Sequence, residues 1–359
     1  MRKHNGYSSY RGRSTARTVL KVVAVLLAIV LAGAVYVFFR LEQYMVYSAD
    51  GVRLVLPWVD PEPDPAESQA ALPPVVPTEE LVVVTPEPKG PEVLRAAALP
   101  DAALYDGTAQ AQVDAAGANA ALFDMKKDDG SLGYVSALDL AKTAKASADD
   151  PALNAAIQLL NAGELYTVAR VSCFKDDKLS DADRALNITT NSGYRWTDPE
   201  GLKWSSPTSH TVRDYVTGVC LELAGLGFDE ILLDNAGYPT QGNLGYIKKG
   251  AAYDASAFDT VIGGFYADVK AALAQQYPDV KLSIALCAPA ADLDGADNLS
   301  GQTAKNLAAA DRIYCRSDGS QAGFVRKLTE AGMEDADARI VILTEETGGD
   351  EGSWARIGP

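Results

Sequence analysis

Several acidic side chains stand where short apolar runs end, which is where a β-strand hands a polar group to the rim of a core. The run ALFDMKKDDG carries Asp124, GFDEILLDNAGYP carries Asp234, and Asp318, Glu345 and Glu346 follow two later runs. Carboxylates in such places can act as nucleophile, general base or general acid. Asp234 is the sharpest of them, because Ile231, Leu232 and Leu233 lead directly into it. Asp128 and Asp129 read as loop residues, since Asp129-Gly130 is a turn signal. Arg170 lies between Ala169 and Val171 in YTVARVSCFKDD. An arginine among apolar neighbours needs an anionic partner, and Asp124 or Asp234 on a neighbouring strand would supply it. Such a pair can be a plain ion pair, or a device that keeps a catalytic carboxylate ionised.

The elements that would position these groups alternate along the chain from Glu92. Strands are expected at 93–98, 121–125, 166–174, 230–234, 281–287, 312–315 and 339–343, with helices between them. Strand–helix alternation implies a parallel sheet, and its length suits a (β/α)8 TIM-like barrel. Only 353–357 remain for an eighth strand, so an open doubly wound sheet is the alternative. No Gly-rich phosphate loop follows any strand, which counts against a nucleotide site, and no cofactor is expected. In a parallel barrel the carboxyl ends of the strands form the active face.

Between the third and fourth strands lies a long excursion with Tyr194, Trp196, Trp204 and His210, and Tyr238 follows the fourth strand. Aromatics exposed on such a loop could stack on sugar rings; buried, they would pin the loop to the barrel. His210 and His4 are the only histidines, which excludes a multi-histidine metal site. Asp292, Asp294 and Asp297 do not match a calcium-loop spacing, and no metal is expected. Cys173, Cys220, Cys287 and Cys315 lie in apolar runs far apart and read as buried thiols.

Ahead of the barrel the composition changes twice. Residues 1–21 hold six basic residues and no acid, leaving 26 basic against 48 acidic residues in the remainder. A surface that acidic repels phosphate backbones, so nucleic acid is not an expected partner, whereas neutral sugars are compatible with it. Residues 22–39 are 18 uncharged, apolar residues, long enough for a single transmembrane helix. The basic flank predicts a cytoplasmic N-terminus with the main domain extracytoplasmic, at the cell membrane. A signal peptide cleaved near Ala32-Gly33-Ala34 is the rival reading. Residues 40–58 contain a hairpin signal at Asp50-Gly51. Ten of the 18 prolines fall between Pro57 and Pro91, so 59–91 reads as an extended linker. The barrel domain is then 92–359.

The segments YTVARVSCFKDD, WTDPEGLKWSSPTSHTVRDYV and LAGLGFDEILLDNAGYP, with ALFDMKKDDGSLGY before them, together resemble a family of bacterial proteins assigned to glycoside hydrolysis. That family is built on a TIM barrel and is distantly α-amylase-like. The resemblance runs from about Glu92 to Arg316. It implies a polysaccharide or glycan partner, and functional roles for Asp124, Lys126, Arg170 and Asp234, with the strand-four aspartate as nucleophile. Two family features are missing: Asn235-Ala236-Gly237-Tyr238-Pro239 has no arginine, and LSIALCAPA ends without an acid. Hydrolysis needs a second carboxyl group, expected from Asp124, Asp318, Glu345 or Glu346. Trp196, Trp204, His210 and Tyr238 would help bind the sugar. The alternative is a barrel without catalysis that binds glycan or organises envelope proteins.

Overall fold

The computed structural model describes residues 45–48, 51–54, 90–293, 298–317, 319, 321–345 and 352–356. The expected transmembrane segment at 22–39, most of the linker, Asp294, Asp297, Asp318 and Glu346 lie outside them. Among the described residues no helix is long and apolar enough to cross a membrane.

The chain divides into two units, residues 1–83 and 84–359. In the first, Met45–Ser48 and Gly51–Leu54 pair antiparallel. Ser48 pairs with Gly51, so the glycine belongs to the strand rather than to the turn expected there.

The second unit is an eight-stranded parallel barrel that closes on itself. Its strands are β1 (Arg95–Ala98), β2 (Ala120–Lys126), β3 (Tyr166–Ser172) and β4 (Glu230–Asp234). They continue as β5 (Lys281–Ala285), β6 (Arg312–Arg316), β7 (Ile340–Thr344) and β8 (Trp354–Arg356). The short β8 pairs with both β7 and β1 and completes the cylinder, so the open-sheet alternative is excluded. The principal helices are α1 (Ala109–Ala115), α2 (Asp139–Thr143), α3 (Leu153–Asn161) and α4 (Asp177–Ala182). After β4 come α5 (His210–Gly225), α6 (Phe258–Gln276), α7 (Ala304–Leu307) and α8 (Gln321–Glu330).

Strand pleating sorts the core into two sets. Leu122, Val168, Leu232, Ala285, Tyr314 and Val341 fill the barrel interior. Their neighbours in sequence, such as Phe123, Ala169, Leu233, Ile284 and Ile313, face outward against the helices. Both faces are buried, so these strands read as near-continuous apolar runs, and the period of two is what aims each strand's last residue.

The closed end of the barrel holds a polar plug. Glu230, fully buried at the start of β4, accepts hydrogen bonds from Tyr166 Oη at 2.9 Å, Ser283 Oγ at 2.6 Å and Tyr314 Oη at 2.8 Å. Arg312 pairs with the same carboxylate and donates to the Pro91 carbonyl at 2.6 Å. A buried ion pair is tolerable when its remaining lone pairs and protons are satisfied, as they are here. Cys173, Cys220 and Cys315 are buried and Cys287 is half-buried, all as thiols.

Candidate active site

Strand register builds the open end. In the parallel pairing of β2 with β3, Asp124 lies beside Arg170, and in that of β3 with β4, Ser172 lies beside Asp234. One inward-facing arginine is thereby flanked by carboxylates from both neighbouring strands. Its Nε donates to Asp234 Oδ2 at 2.7 Å, Nη1 to Asp124 Oδ1 at 2.8 Å and Nη2 to Asp128 Oδ1 at 2.7 Å. The planar guanidinium, with five donors, is suited to such a hub in a way a lysine is not. Burial acts to strip its charge, but Asp234, Asp124 and Asp128 override this and hold it protonated well above the usual range.

Asp128, expected to be an ordinary loop residue, is part of this cluster. The turn that follows it does form: Asp129 Oδ1 accepts from Ser131 N at 2.8 Å and Gly130 has φ +88°. Asp128 Oδ2 also faces Lys175 Nζ at 3.3 Å. Lys175 reaches on to Asp198 at 3.2 Å and Glu200 at 2.5 Å, tying the β3–β4 excursion to the cluster. Burial opposes that lysine's charge, but Glu200, Asp128 and Asp198 raise its pKa.

The environments of two of the carboxyls diverge. Burial raises the pKa of Asp124 and outweighs the pull of Arg170. Burial also acts on Asp128, but there Arg170, Lys175 and Ser172 prevail and lower it. Carboxyls pushed apart in this way are the usual sign of an acid and a base at one site. Asn235 completes the arrangement. From a left-handed backbone, φ 47°, its N–H donates to Asp234 Oδ1 at 2.7 Å. Its side-chain amide donates to Ser172 Oγ at 2.9 Å and Asp128 Oδ1 at 3.1 Å.

These groups line a cavity of about 620 Å³ at the carboxyl ends of the strands. Its floor includes Leu122, Leu232 and Ala285, and the excursion supplies Asp198, Pro199, Glu200 and Trp204 on one side. At the end of β5 the wall is Ala285, Leu286 and Cys287, so no acid stands there. Burial pushes the Cys287 thiol up to about 12, which leaves it a poor nucleophile near neutral pH.

Not all expected residues reach the cavity in the expected role. Lys126 does not: a register shift follows Asp124, and Lys126 turns inward, fully buried, to Asp176 at 2.7 Å and the Ser172 carbonyl at 2.7 Å. It is an internal ion pair and not a substrate contact. Trp196 is 2% exposed and donates to the Asn243 carbonyl at 3.2 Å, so it pins the excursion and offers no face to a ligand. Trp204 is buried too, with Nε1 to Asp198 at 3.2 Å, although its edge reaches the cavity. Tyr238 also borders the cavity but is fully buried, stacked on Phe258 at 3.6 Å between ring centroids. His210 is exposed beside Arg213, 2.8 Å from its guanidinium, and does not line the cavity. Glu345 lies at the rim, its side chain 85% exposed and 3.9 Å from Arg316. Among the described residues, no group of three or more potential ligands is placed to hold a metal ion.

Residues 108–315 match the model of a family described as "putative glycosyl hydrolase domain". The chain belongs to that family. Asp124, Asp128, Arg170 and Asp234 all fall inside the matched glycosyl hydrolase domain. No curated protein matches the chain. Among solved structures, it is similar to a hypothetical protein from Ruminiclostridium thermocellum ATCC 27405, at 25% identity and TM-score 0.44, covering 52% of this chain and 95% of that one. It is also similar to the PgaB (BpsB) glycoside hydrolase domain from Bordetella bronchiseptica, at 14% identity and TM-score 0.47, covering 74% and 94%. The glycoside hydrolase domain of PelA from Pseudomonas aeruginosa aligns at 12% identity and TM-score 0.39, covering 71% and 84%.

Proposed function

We propose that this protein is a glycoside hydrolase that acts on a cell-envelope or environmental polysaccharide, held outside the cytoplasm by the apolar segment 22–39. The observation that carries the catalytic reading is that Asp124 and Asp234 open on one cavity while bound to the same guanidinium. Two carboxylates held by one guanidinium lie no more than about 8 Å apart, which is compatible with the spacing of paired carboxyls in glycosidic hydrolysis.

Asp124 is the proton donor in this reading. Its raised pKa lets the acid form persist to higher pH than in an ordinary aspartate, and its proton passes to the leaving glycosidic oxygen as the C–O bond breaks. Asp234, its Oδ2 held by Arg170 and its Oδ1 by the Asn235 N–H, serves the anomeric carbon. It does so either by direct attack or by taking a proton from the attacking water. Of the four carboxyls expected to supply the second group, Asp124 is chosen because it shares Arg170 with Asp234, whereas Glu345 is at the exposed rim; Asp318 and Glu346 lie outside the described residues.

A second reading, a glycan-binding barrel without turnover, is favoured by the apolar wall at the end of β5. One experiment separates the two. The full chain is screened against a panel of polysaccharides and aryl glycosides for release of reducing ends or aglycone. Turnover that disappears in Asp234→Asn, with an unchanged circular dichroism spectrum, supports the hydrolase. Glycan binding without turnover supports the binder, and undiminished turnover in Asp234→Asn overturns the assignment.

A further inference from the structure

Three of the large apolar side chains left exposed among the described residues are tyrosines, Tyr105, Tyr194 and Tyr246, and the last two are neighbours through the backbone. Tyr194 is 73% exposed and Tyr246 is 67% exposed. They come from different connections, the β3–β4 excursion and the segment after β4, yet one short stretch of backbone joins them. Thr190 N donates to the Tyr194 carbonyl at 2.8 Å, and the next amide, Asn191 N, donates to the Tyr246 carbonyl at 2.9 Å. Thr189 pairs with Arg195, and Thr190 with Ile247, as isolated bridges. The two tyrosines thus flank one central segment, their backbones about 10 Å apart at two strand spacings.

Contacts connect this pair to residues that line the cavity. Trp196 is buried and its Nε1 holds the Asn243 carbonyl at 3.2 Å. Gly242, at φ +92°, packs so closely that an added Cβ would come within 3.1 Å of Pro199 and 3.3 Å of the Trp196 ring. Pro199 and Gln241 in turn line the cavity. A tyrosine offers a flat apolar face together with a polar edge, which matches a pyranose ring with its C–H faces and equatorial hydroxyls.

We infer that Tyr194 and Tyr246 form an accessory binding site for a polysaccharide chain, on the path by which that chain leaves the catalytic cavity. The inference rests on the glycoside hydrolase reading for its ligand class, but it concerns residues outside the reacting groups. The pair receives sugar rings well removed from the scissile bond, so it serves polymers and is dispensable for short substrates.

The test uses the full chain and Tyr194→Ala/Tyr246→Ala together, both exposed positions where truncation leaves the core intact. Binding is read by affinity electrophoresis in gels carrying hydroxyethyl cellulose, soluble starch or glycol chitosan. Turnover is read separately on whichever aryl glycoside the protein cleaves. The expected result is a tenfold or greater loss of retardation on the polymer that the wild type binds, with kcat/KM on the aryl glycoside unchanged. Equal retardation of variant and wild type overturns the inference, as does an equal loss of kcat/KM on the short substrate. Absence of any aryl glycoside turnover bears on the hydrolase reading alone, because retardation is measured without it; a wild type retarded by none of the three polymers overturns the accessory site.

Discussion

The main-chain N–H of Asn235 donates to Oδ1 of Asp234 at 2.7 Å, and it does so from a left-handed φ of 47°. Asparagine tolerates that region better than most residues, and β-branched residues tolerate it poorly. Asn235→Gly keeps the backbone donor and loses the amide bonds to Asp128 and Ser172, so it should cost about 1 kcal/mol in stability. Asn235→Val should cost a further ~1–2 kcal/mol through the backbone. Urea unfolding of both variants checks the ordering; a valine variant as stable as the glycine one contradicts it.

Arg170 compensates three carboxylates, so its removal should be the most damaging single change at the mouth. Breaking a buried pair costs about 3–5 kcal/mol; the aspartate side chains are 28–39% exposed, which reduces the expectation for Arg170→Gln to about 2–3 kcal/mol. The sign of the pH dependence follows from Asp128. Its folded pKa is lowered from 3.8, so its stabilising contribution is present above 3.8 and is lost as pH falls through the folded value. The stability gap between wild type and Arg170→Gln should therefore narrow below about pH 3.8. Urea midpoints at pH 7 and pH 3 measure it, and a gap that widens in acid would contradict the arrangement.

If Asp124 is the proton donor, its raised pKa sets the basic limb of the kcat/KM profile, where the acid form is lost. Asp124→Asn should abolish that limb and lower turnover of ordinary linkages by about 10²–10⁴-fold. A dinitrophenyl glycoside needs no protonation of its leaving group, so the same variant should cleave it nearly as fast as the wild type does. Equal losses on both substrates would assign Asp124 another role.

The mouth was legible in the sequence because period-two alternation is simple to follow. Glu230, Leu232 and Asp234 face inward in turn, and a parallel barrel buries everything before the last of them. Arg170 announced itself as a charge inside an apolar run, and two of its three partners are the aspartates expected. Asp128 was hidden by its own turn: Asp129-Gly130 does bend the chain, and that bend carries Asp128 back over Arg170. Lys126 was misread because the shift in register after Asp124 leaves no trace in residue types. The excursion stood out in the sequence, but the burial of Trp196 depends on its bond to Asn243 in the segment after β4, which no local pattern encodes.

Lys126 and Asp176 make a prediction about folding rather than catalysis. Their side chains are 0% and 1% exposed at a separation of 2.7 Å, so Lys126→Met leaves a buried carboxylate uncompensated and should cost about 3–5 kcal/mol. Gly130→Ala should damage the same place from the other side. A Cβ there would fall 2.0 Å from Asp176 Oδ1, on a backbone at φ +88°. Both variants should lower the thermal midpoint while KM at a permissive temperature stays unchanged. A rise in KM without loss of stability would return Lys126 to the substrate site.

Trp196 and His210, both expected from the sequence to touch sugar, should behave in opposite ways. Trp196 is 2% exposed and ties the excursion to Asn243, so Trp196→Ala should cost about 3–5 kcal/mol, as large aromatic truncations in cores do. The excursion carries Asp198, Pro199 and Glu200 to the cavity, so the loss should extend to turnover at temperatures where the barrel itself is still folded. His210 is exposed at the start of α5, with its ring 2.8 Å from the Arg213 guanidinium. His210→Ala should leave both stability and turnover within experimental error. Paired thermal melts and activity assays decide the matter, and a His210→Ala variant with depressed kcat would place that histidine back at the substrate.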